Sequence, residues 1–145
     1  MSPRHASLVA TAVLVAAVVG LVASGTLLAG HPAGLVLQGA AVLGMLWARV
    51  TFGGRSFHAA ATPTAGGLVT TGPYRFVRHP IYAAVLLFVW AGVATHLDVP
   101  SVALAAIASA AIAARIRAEE RLVAARYPEY AAYAARTKRV IPGLL

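Results

Sequence analysis

The chain has 145 residues, of which 60% are hydrophobic and only 11% charged, and its mean hydropathy is +0.79. Soluble domains carry roughly 25% charged residues, so this composition excludes them and marks a membrane protein of a few helices in one domain. With no cysteine, disulfides and thiolate chemistry are excluded too, and the net charge of +8 is a clue to orientation before it is a clue to nucleic acid.

Four apolar segments follow in order. The first runs from about Ala6 to Gly30 and the second from about Ala33 to Phe52. A bilayer core needs roughly 20 helical residues, and both satisfy that. The third, from Pro80 to about His96, and the fourth, from about Ser101 to Ala114, are short and must tilt little, thin the bilayer locally or borrow length from their flanks. Leu97-Asp98-Val99-Pro100 is the turn between them, with proline opening the return helix. A signal peptide is the rival reading of the N-terminus, but the apolar run exceeds the roughly 7 to 15 residues of a signal's core. The expectation is an all-α integral membrane protein with four transmembrane helices in a single domain. An N-terminal helical hairpin (1–52) precedes a cytoplasmic loop (53–79), a second hairpin (80–114) and a cytoplasmic helical tail (115–145).

With four spans, both termini and the loop between the second and third segments share one side. That side holds all 12 lysines and arginines, from Arg4, Arg49 and Arg55 through Arg136, Lys138 and Arg139. Positive charge collects on the cytoplasmic face of multi-pass proteins, so both termini are expected there. The charge then answers to membrane lipids and not to nucleic acid.

The connection from Gly53 to His79 is about 27 residues long. Connections beyond about 12 to 15 residues are usually functional or disordered. Its centre contains Gly66-Gly67-Leu68-Val69, where glycine permits close backbone approach to a ligand. Its end, Gly72-Pro73-Tyr74-Arg75-Phe76-Val77-Arg78-His79-Pro80-Ile81-Tyr82, crowds two arginines, a histidine and two tyrosines into eleven residues. Snorkelling arginines and an aromatic belt explain these residue types. They do not explain the crowding.

Beyond the fourth segment, Arg115 and Glu119 are four apart and share a helical face, with Glu120 beside them. By spacing alone an ordinary surface ion pair is the favoured account. Tyr127-Pro128 interrupts the helix, and a second amphipathic piece is expected from Glu129 to Arg139, with Tyr130 and Tyr133 on one surface.

The succession Gly-Pro-Tyr (72–74), Arg-His-Pro-x-Tyr (78–82), apolar hairpin, Arg-x-x-x-Glu-Glu (115–120), then a tyrosine-rich tail ending in Ile-Pro (141–142) resembles the isoprenylcysteine carboxyl methyltransferase family. Membrane phospholipid N-methyltransferases share related features. The resemblance covers roughly Gly66 to Pro142. It implies a membrane methyltransferase that uses S-adenosylmethionine without a Rossmann domain, and no glycine-rich nucleotide fingerprint occurs here. By resemblance, Gly66, Gly67, Leu68, Val69 and Tyr74 line the cofactor, with His79, Pro80, Ile81 and Tyr82 as the next wall. Glu119 matches the cofactor-binding glutamate and Arg115 the substrate-binding arginine. The family's glycine after the tyrosine is Ala84 here, and its Phe-Gly in the tail is Tyr127-Pro128.

These residue types suit methyl transfer. An in-line displacement needs alignment and desolvation above all. Tyrosine faces attract a sulfonium, a carboxylate holds cofactor polar groups, and the Arg115 fork can fix an anionic acceptor. An amine acceptor needs a base, for which His79 is the candidate. No metal-ligand spacing is visible. The leading expectation is methylation of a lipophilic or lipid-modified acceptor, such as an isoprenylcysteine carboxylate, at the cytoplasmic interface. Phospholipid or amine N-methylation on the same fold, an NADPH-dependent membrane reductase and a non-catalytic assembly protein are the alternatives. A transporter fits less well, because Asp98, Glu119, Glu120 and Glu129 all sit at or beyond the apolar segments. The alanine-rich stretch 103–114 suits close helix packing or a homodimer.

Overall fold

The computed structural model describes residues 2–53 and 67–141, and it is all-helical. Helix α1 (Pro3–Ala23) is capped by the Ser2 hydroxyl and carries proline in its first turn, where a missing amide hydrogen costs nothing. Helix α2 (Pro32–Phe52) starts the same way behind His31. A 3-10 turn (Gly72–Arg75) leads into α3 (Pro80–Val93), which also opens on proline. Helix α4 (Val99–Arg126) is capped by Asp98, whose carboxylate accepts from the Ser101 amide at 2.9 Å. A short α5 (Tyr130–Arg136) follows. Among the described residues there is no strand, only one parallel bridge between Val77 and Lys138.

The four longer helices pack as two antiparallel pairs. Along α1 and α4, Gly20 lies against Leu104 while Thr11 meets Arg115. The buried faces are small: Ala10 and Ala17 on α1, Ala105, Ala108 and Ala111 on α4. Such faces let backbones approach in a membrane. Along α2 and α3, Gly34 abuts the Ala91 carbonyl and Gln38 donates to the Phe88 carbonyl at 3.1 Å. The closest packing thus joins α1 to α4 and α2 to α3, more closely than α1 to α2 or α3 to α4. One consequence decides where chemistry can occur. The start of α1, the end of α2, the start of α3 and the end of α4 all meet at one end of the bundle, and the described arginines and Lys138 gather there.

Three helices among the described residues, α1, α2 and α4, are long and apolar enough to cross a membrane. Helix α3, with 14 residues, rises only about 21 Å against a hydrocarbon core of about 30 Å. The first apolar segment also ends earlier than its hydropathy implies. Ser24 caps α1, Gly25 turns the chain at φ 72°, and residues 24–31 fold back against the bundle. There Gln38, 3% exposed, donates to the Leu27 carbonyl at 2.8 Å and accepts from the Ala29 amide at 3.1 Å. Gly92 makes room for this connection, since a Cβ there would lie 2.0 Å from the Leu27 carbonyl oxygen. Leu21, Val89, Val93 and Ala105 form the packed core at this far end.

The tail also differs from expectation. Helix α5 stops at Arg136 because Thr137 turns extended (φ −124°, ψ 153°). Lys138 and Arg139 then run beside the segment before α3. Their carbonyls accept from the Arg78 and His79 amides at 2.7 and 2.9 Å. The tail is an adapter, strapped to the arginine-histidine block.

Candidate active site

Two stretches forty residues apart in sequence fold onto each other at the charged end of the bundle. The N-terminus of α3 brings His79 and Tyr82. The polar extension of α4, beyond its apolar part, brings Arg115, Glu119 and Glu120. The His79 Nδ1 lies 3.7 Å from Glu119 Oε2, and the Tyr82 hydroxyl donates to Glu119 Oε1. His79 and Tyr82 rings stand 5.8 Å apart, centroid to centroid.

Arg115 is the hub of this cluster. It is 7% exposed, so its charge must be met inside the protein. Its Nε donates to the Tyr82 hydroxyl at 2.7 Å and its Nη2 to Glu119 Oε1 at 3.2 Å. Its Nη1 donates to the Thr11 hydroxyl of α1. All three nitrogens are engaged, and the guanidinium carbon stands 5.6 Å from the Tyr82 ring centroid. The spacing of Arg115 and Glu119 also permitted a plain surface pair. Burial shows instead a desolvated network in which each member fixes its neighbours.

A second ion-pair group lies beside the first. Arg78 Nε donates to Glu120 Oε1 at 3.0 Å, and Arg139 Nε to Glu120 Oε2, also at 3.0 Å. Arg78 Nη1 reaches the Ala134 carbonyl at 3.0 Å and the Thr137 carbonyl besides, so one side chain clamps α3, α4 and the tail together. Burial pushes the Glu120 carboxyl up, but His79 and Arg78 beside it outweigh that and hold it down at about 2. His79 Nε2 is buried and lies 3.5 Å from Glu120 Oε1. That is ionic range without hydrogen-bond alignment, and among the described residues Nε2 has no hydrogen-bond partner.

Aromatic residues wall the cluster. Tyr74, buried in the 3-10 turn, packs on Phe52 at 5.4 Å between centroids, and its carbonyl accepts from the Tyr133 hydroxyl at 2.6 Å. Burial first, then the neighbouring Tyr133, raises the Tyr74 phenol well above the usual range. Burial likewise pushes the Tyr133 phenol up to about 12, so both stay neutral and act as donors and ring faces. Tyr130 and Tyr133 meet edge to face at 6.2 Å.

The other expected residues fall into place unevenly. Pro80 is buried at the start of α3 and Ile81 half-buried beside it. Gly67 is exposed at φ 80°, and Leu68 and Val69 are half-buried ahead of the 3-10 turn. Gly66 lies outside the described residues. Thr11, Arg139 and the backbone of Ala134 and Thr137 belong to the polar assembly although sequence reasoning singled out none of them as site residues. An open cleft of about 410 Å³ borders the assembly, lined by Arg117, Glu120, Arg121, Ala124, Tyr130 and Arg139. Among the described residues, no group of three or more His, Asp or Glu side chains is placed to hold a metal ion.

The phospholipid methyltransferase family model matches residues 21–130, and the chain belongs to that family of integral-membrane proteins. It is 36% identical over 108 residues to the cobalt-zinc-cadmium resistance protein CzcN of Cupriavidus metallidurans, a match covering 72% of this chain and 45% of the relative. It is 37% identical over 109 residues to the nickel-cobalt-cadmium resistance protein NccN of Alcaligenes xylosoxydans xylosoxydans, covering 72% of this chain and 46% of that one. The chain thus spans about half the length of the curated relatives it matches. No solved structure matches it significantly.

Proposed function

We propose that the protein is an S-adenosylmethionine-dependent methyltransferase acting on a lipophilic acceptor at the inner face of a membrane. The carrying observation is the junction of His79 and Tyr82 with Glu119, from separate helices and at one end of the bundle. Family membership supports the same reading. In it α3 crosses the bilayer as a fourth, shortened span, its far end covered by residues 24–31. Both termini and the arginine-rich end face the cytoplasm.

The residues suit the cofactor. Among the described residues, the buried His79 Nε2 has no hydrogen-bond partner, which ordinarily signals a missing group. The Glu119 side chain keeps 22% of its surface exposed, so a carboxylate remains reachable at the edge of the network. Tyr74 and Tyr82 contribute ring faces of the kind that attract a sulfonium. Glu119, His79, Tyr82 and Tyr74 are assigned to hold it, with Gly66 to Val69 and Pro80-Ile81 as backbone and apolar lining. When bound, it supplies a methyl group already activated for displacement.

The protein's own part is positioning and charge. Glu119, fixed by Tyr82 and Arg115, presents a preorganised negative charge in a partly desolvated site, where it acts more strongly than in water. An amine acceptor must lose a proton, for which His79 is the nearest candidate base, whereas a carboxylate acceptor loses none. Arg115 has each nitrogen engaged inside the protein, so its contribution is charge and orientation more than the open two-pronged grip inferred from sequence. The names of the relatives connect them with metal resistance. In this reading such a role runs through methylation of a membrane component.

The test is transfer of label. Purified protein in nanodiscs of native lipid, given methyl-labelled S-adenosylmethionine and supplemented with a prenylcysteine, is expected to move label into the organic phase. Base-labile label identifies a methyl ester, and base-stable label an N-methyl lipid. Label confined to water in every mixture would refute the proposal.

A further inference from the structure

Helix α1 lies almost wholly outside the segment that matches the family, which begins at residue 21, yet it touches the candidate active site at Thr11. Thr11 Oγ1 donates its own hydrogen to the Ser7 carbonyl, one turn back, at 2.8 Å. That back-bond turns the oxygen lone pairs away from α1, and Arg115 Nη1 donates to them. Arg115 in turn holds Tyr82 through Nε and Glu119 through Nη2. A chain of contacts therefore runs from α1 to the carboxylate assigned to the cofactor.

We infer that Thr11 is a positioning residue for the active site, and that α1 completes the site by fixing the Arg115 guanidinium. The inference rests on the methyltransferase reading for its catalytic meaning, but its geometric content is independent. A guanidinium anchored at only two of its nitrogens can still swing about the line that joins them. A third anchor, on another helix, removes that freedom and holds Glu119 and Tyr82 in one arrangement. The anchor requires an oxygen that accepts while its hydrogen is occupied elsewhere. Serine satisfies this and valine, of the same shape as threonine, does not. Ser7, fully buried on the same helix with a hydroxyl that has no hydrogen-bond partner among the described residues, supplies the control. Removing its hydroxyl changes the polarity of α1 without touching Arg115.

The experiment compares wild type, Thr11→Val, Thr11→Ser and Ser7→Ala in detergent. Two readouts are taken: S-adenosylmethionine affinity by calorimetry, and the Nε–H signal of Arg115 in ¹⁵N-arginine spectra, assigned with Arg115→Lys. Thr11→Val is expected to weaken affinity about tenfold and to broaden the Arg115 signal or speed its exchange. Thr11→Ser restores both, and Ser7→Ala leaves both as in wild type. Affinity unchanged in Thr11→Val, or equal loss in Thr11→Ser and Ser7→Ala, overturns the inference as generic packing. Wild type that binds no cofactor refutes the methyltransferase reading and the catalytic meaning of Thr11 with it. An Arg115 signal that is unmoved in Thr11→Val refutes the anchor itself, whatever binds.

Discussion

The two ends of the bundle are both polar, and they are polar in different ways. At the far end, the Asp98 cap apart, the hydrogen bonds are neutral and local in purpose. Gln38 serves the Leu27, Ala29 and Phe88 backbone, Thr95 Oγ1 accepts from the Gly30 amide at 2.9 Å, and Ser101 donates to Thr26 at 2.9 Å. Each satisfies a group that the turn of residues 24–31 would otherwise leave bare in an apolar setting. At the near end the contacts are charged, they link α1, α3, α4 and the tail, and one buried imidazole nitrogen is left without a hydrogen bond. Construction needs polar groups that are used up; a site needs some that are not. That contrast separates scaffold from chemistry in a chain with few polar residues of either kind.

The largest effect expected is at the scaffold end. Gly92→Val puts a side chain where the Leu27 carbonyl stands, and the two nearest atoms it meets belong to the Leu27 backbone. Folded protein should be absent from size-exclusion profiles, and a normal yield would show that residues 24–31 do not pack as described. Gln38→Leu keeps the volume and removes three hydrogen bonds to buried backbone. A loss of about 2 to 6 kcal/mol in stability is expected from two stranded groups, the Leu27 carbonyl and the Ala29 amide, at about 1 to 3 each. Cofactor affinity of the folded fraction should not change, and a parallel loss of affinity would erase the distinction between the two ends.

At the charged end, Arg78→Met removes the bonds of this side chain to Glu120 and to the Ala134 and Thr137 carbonyls, loosening the tail while its backbone bonds to residues 78 and 79 remain. Limited proteolysis should then cut between α5 and residue 139 much sooner, with a stability loss of about 1 to 3 kcal/mol. The smallest effect is on pH. The folded Glu120 carboxyl titrates at about 2, below its ordinary 4.5. A lowered value means stability that is fully present above about 4.5 and lost as pH falls toward 2. Protection of the tail should therefore be flat from neutrality to about pH 4.5 and decline below it, and Glu120→Gln should flatten that decline.

Much of this was legible in the sequence because few places in so apolar a chain can carry charge. The proline-opened helices, the Asp98 turn and the sharing of one end by all basic segments follow from proline position and hydropathy. The pairing of 78–82 with 115–120 came from a succession of motifs. The rest was hidden for physical reasons. Hydropathy cannot see that residues 24–30, though apolar, leave α1 at Gly25, because a connection folded against a bundle has the same composition as a helix within it. The tail reads as amphipathic helix to Arg139, but backbone pairing of Lys138 and Arg139 with Arg78 and His79 is a tertiary choice. Thr11 carries no signal at all, since a lone threonine in a spanning helix normally satisfies itself by back-bonding.

The central claim is that the near end is built to hold a sulfonium nucleotide around Glu119. Calorimetric titration of S-adenosylmethionine and, in parallel, NADPH into wild type and Glu119→Gln addresses it directly. The account predicts saturable binding of S-adenosylmethionine alone, weakened at least about a hundredfold by Glu119→Gln (about 2.7 kcal/mol) in protein that keeps its helical content. Binding of NADPH alone, of neither compound, or of S-adenosylmethionine with equal affinity in both proteins would contradict it.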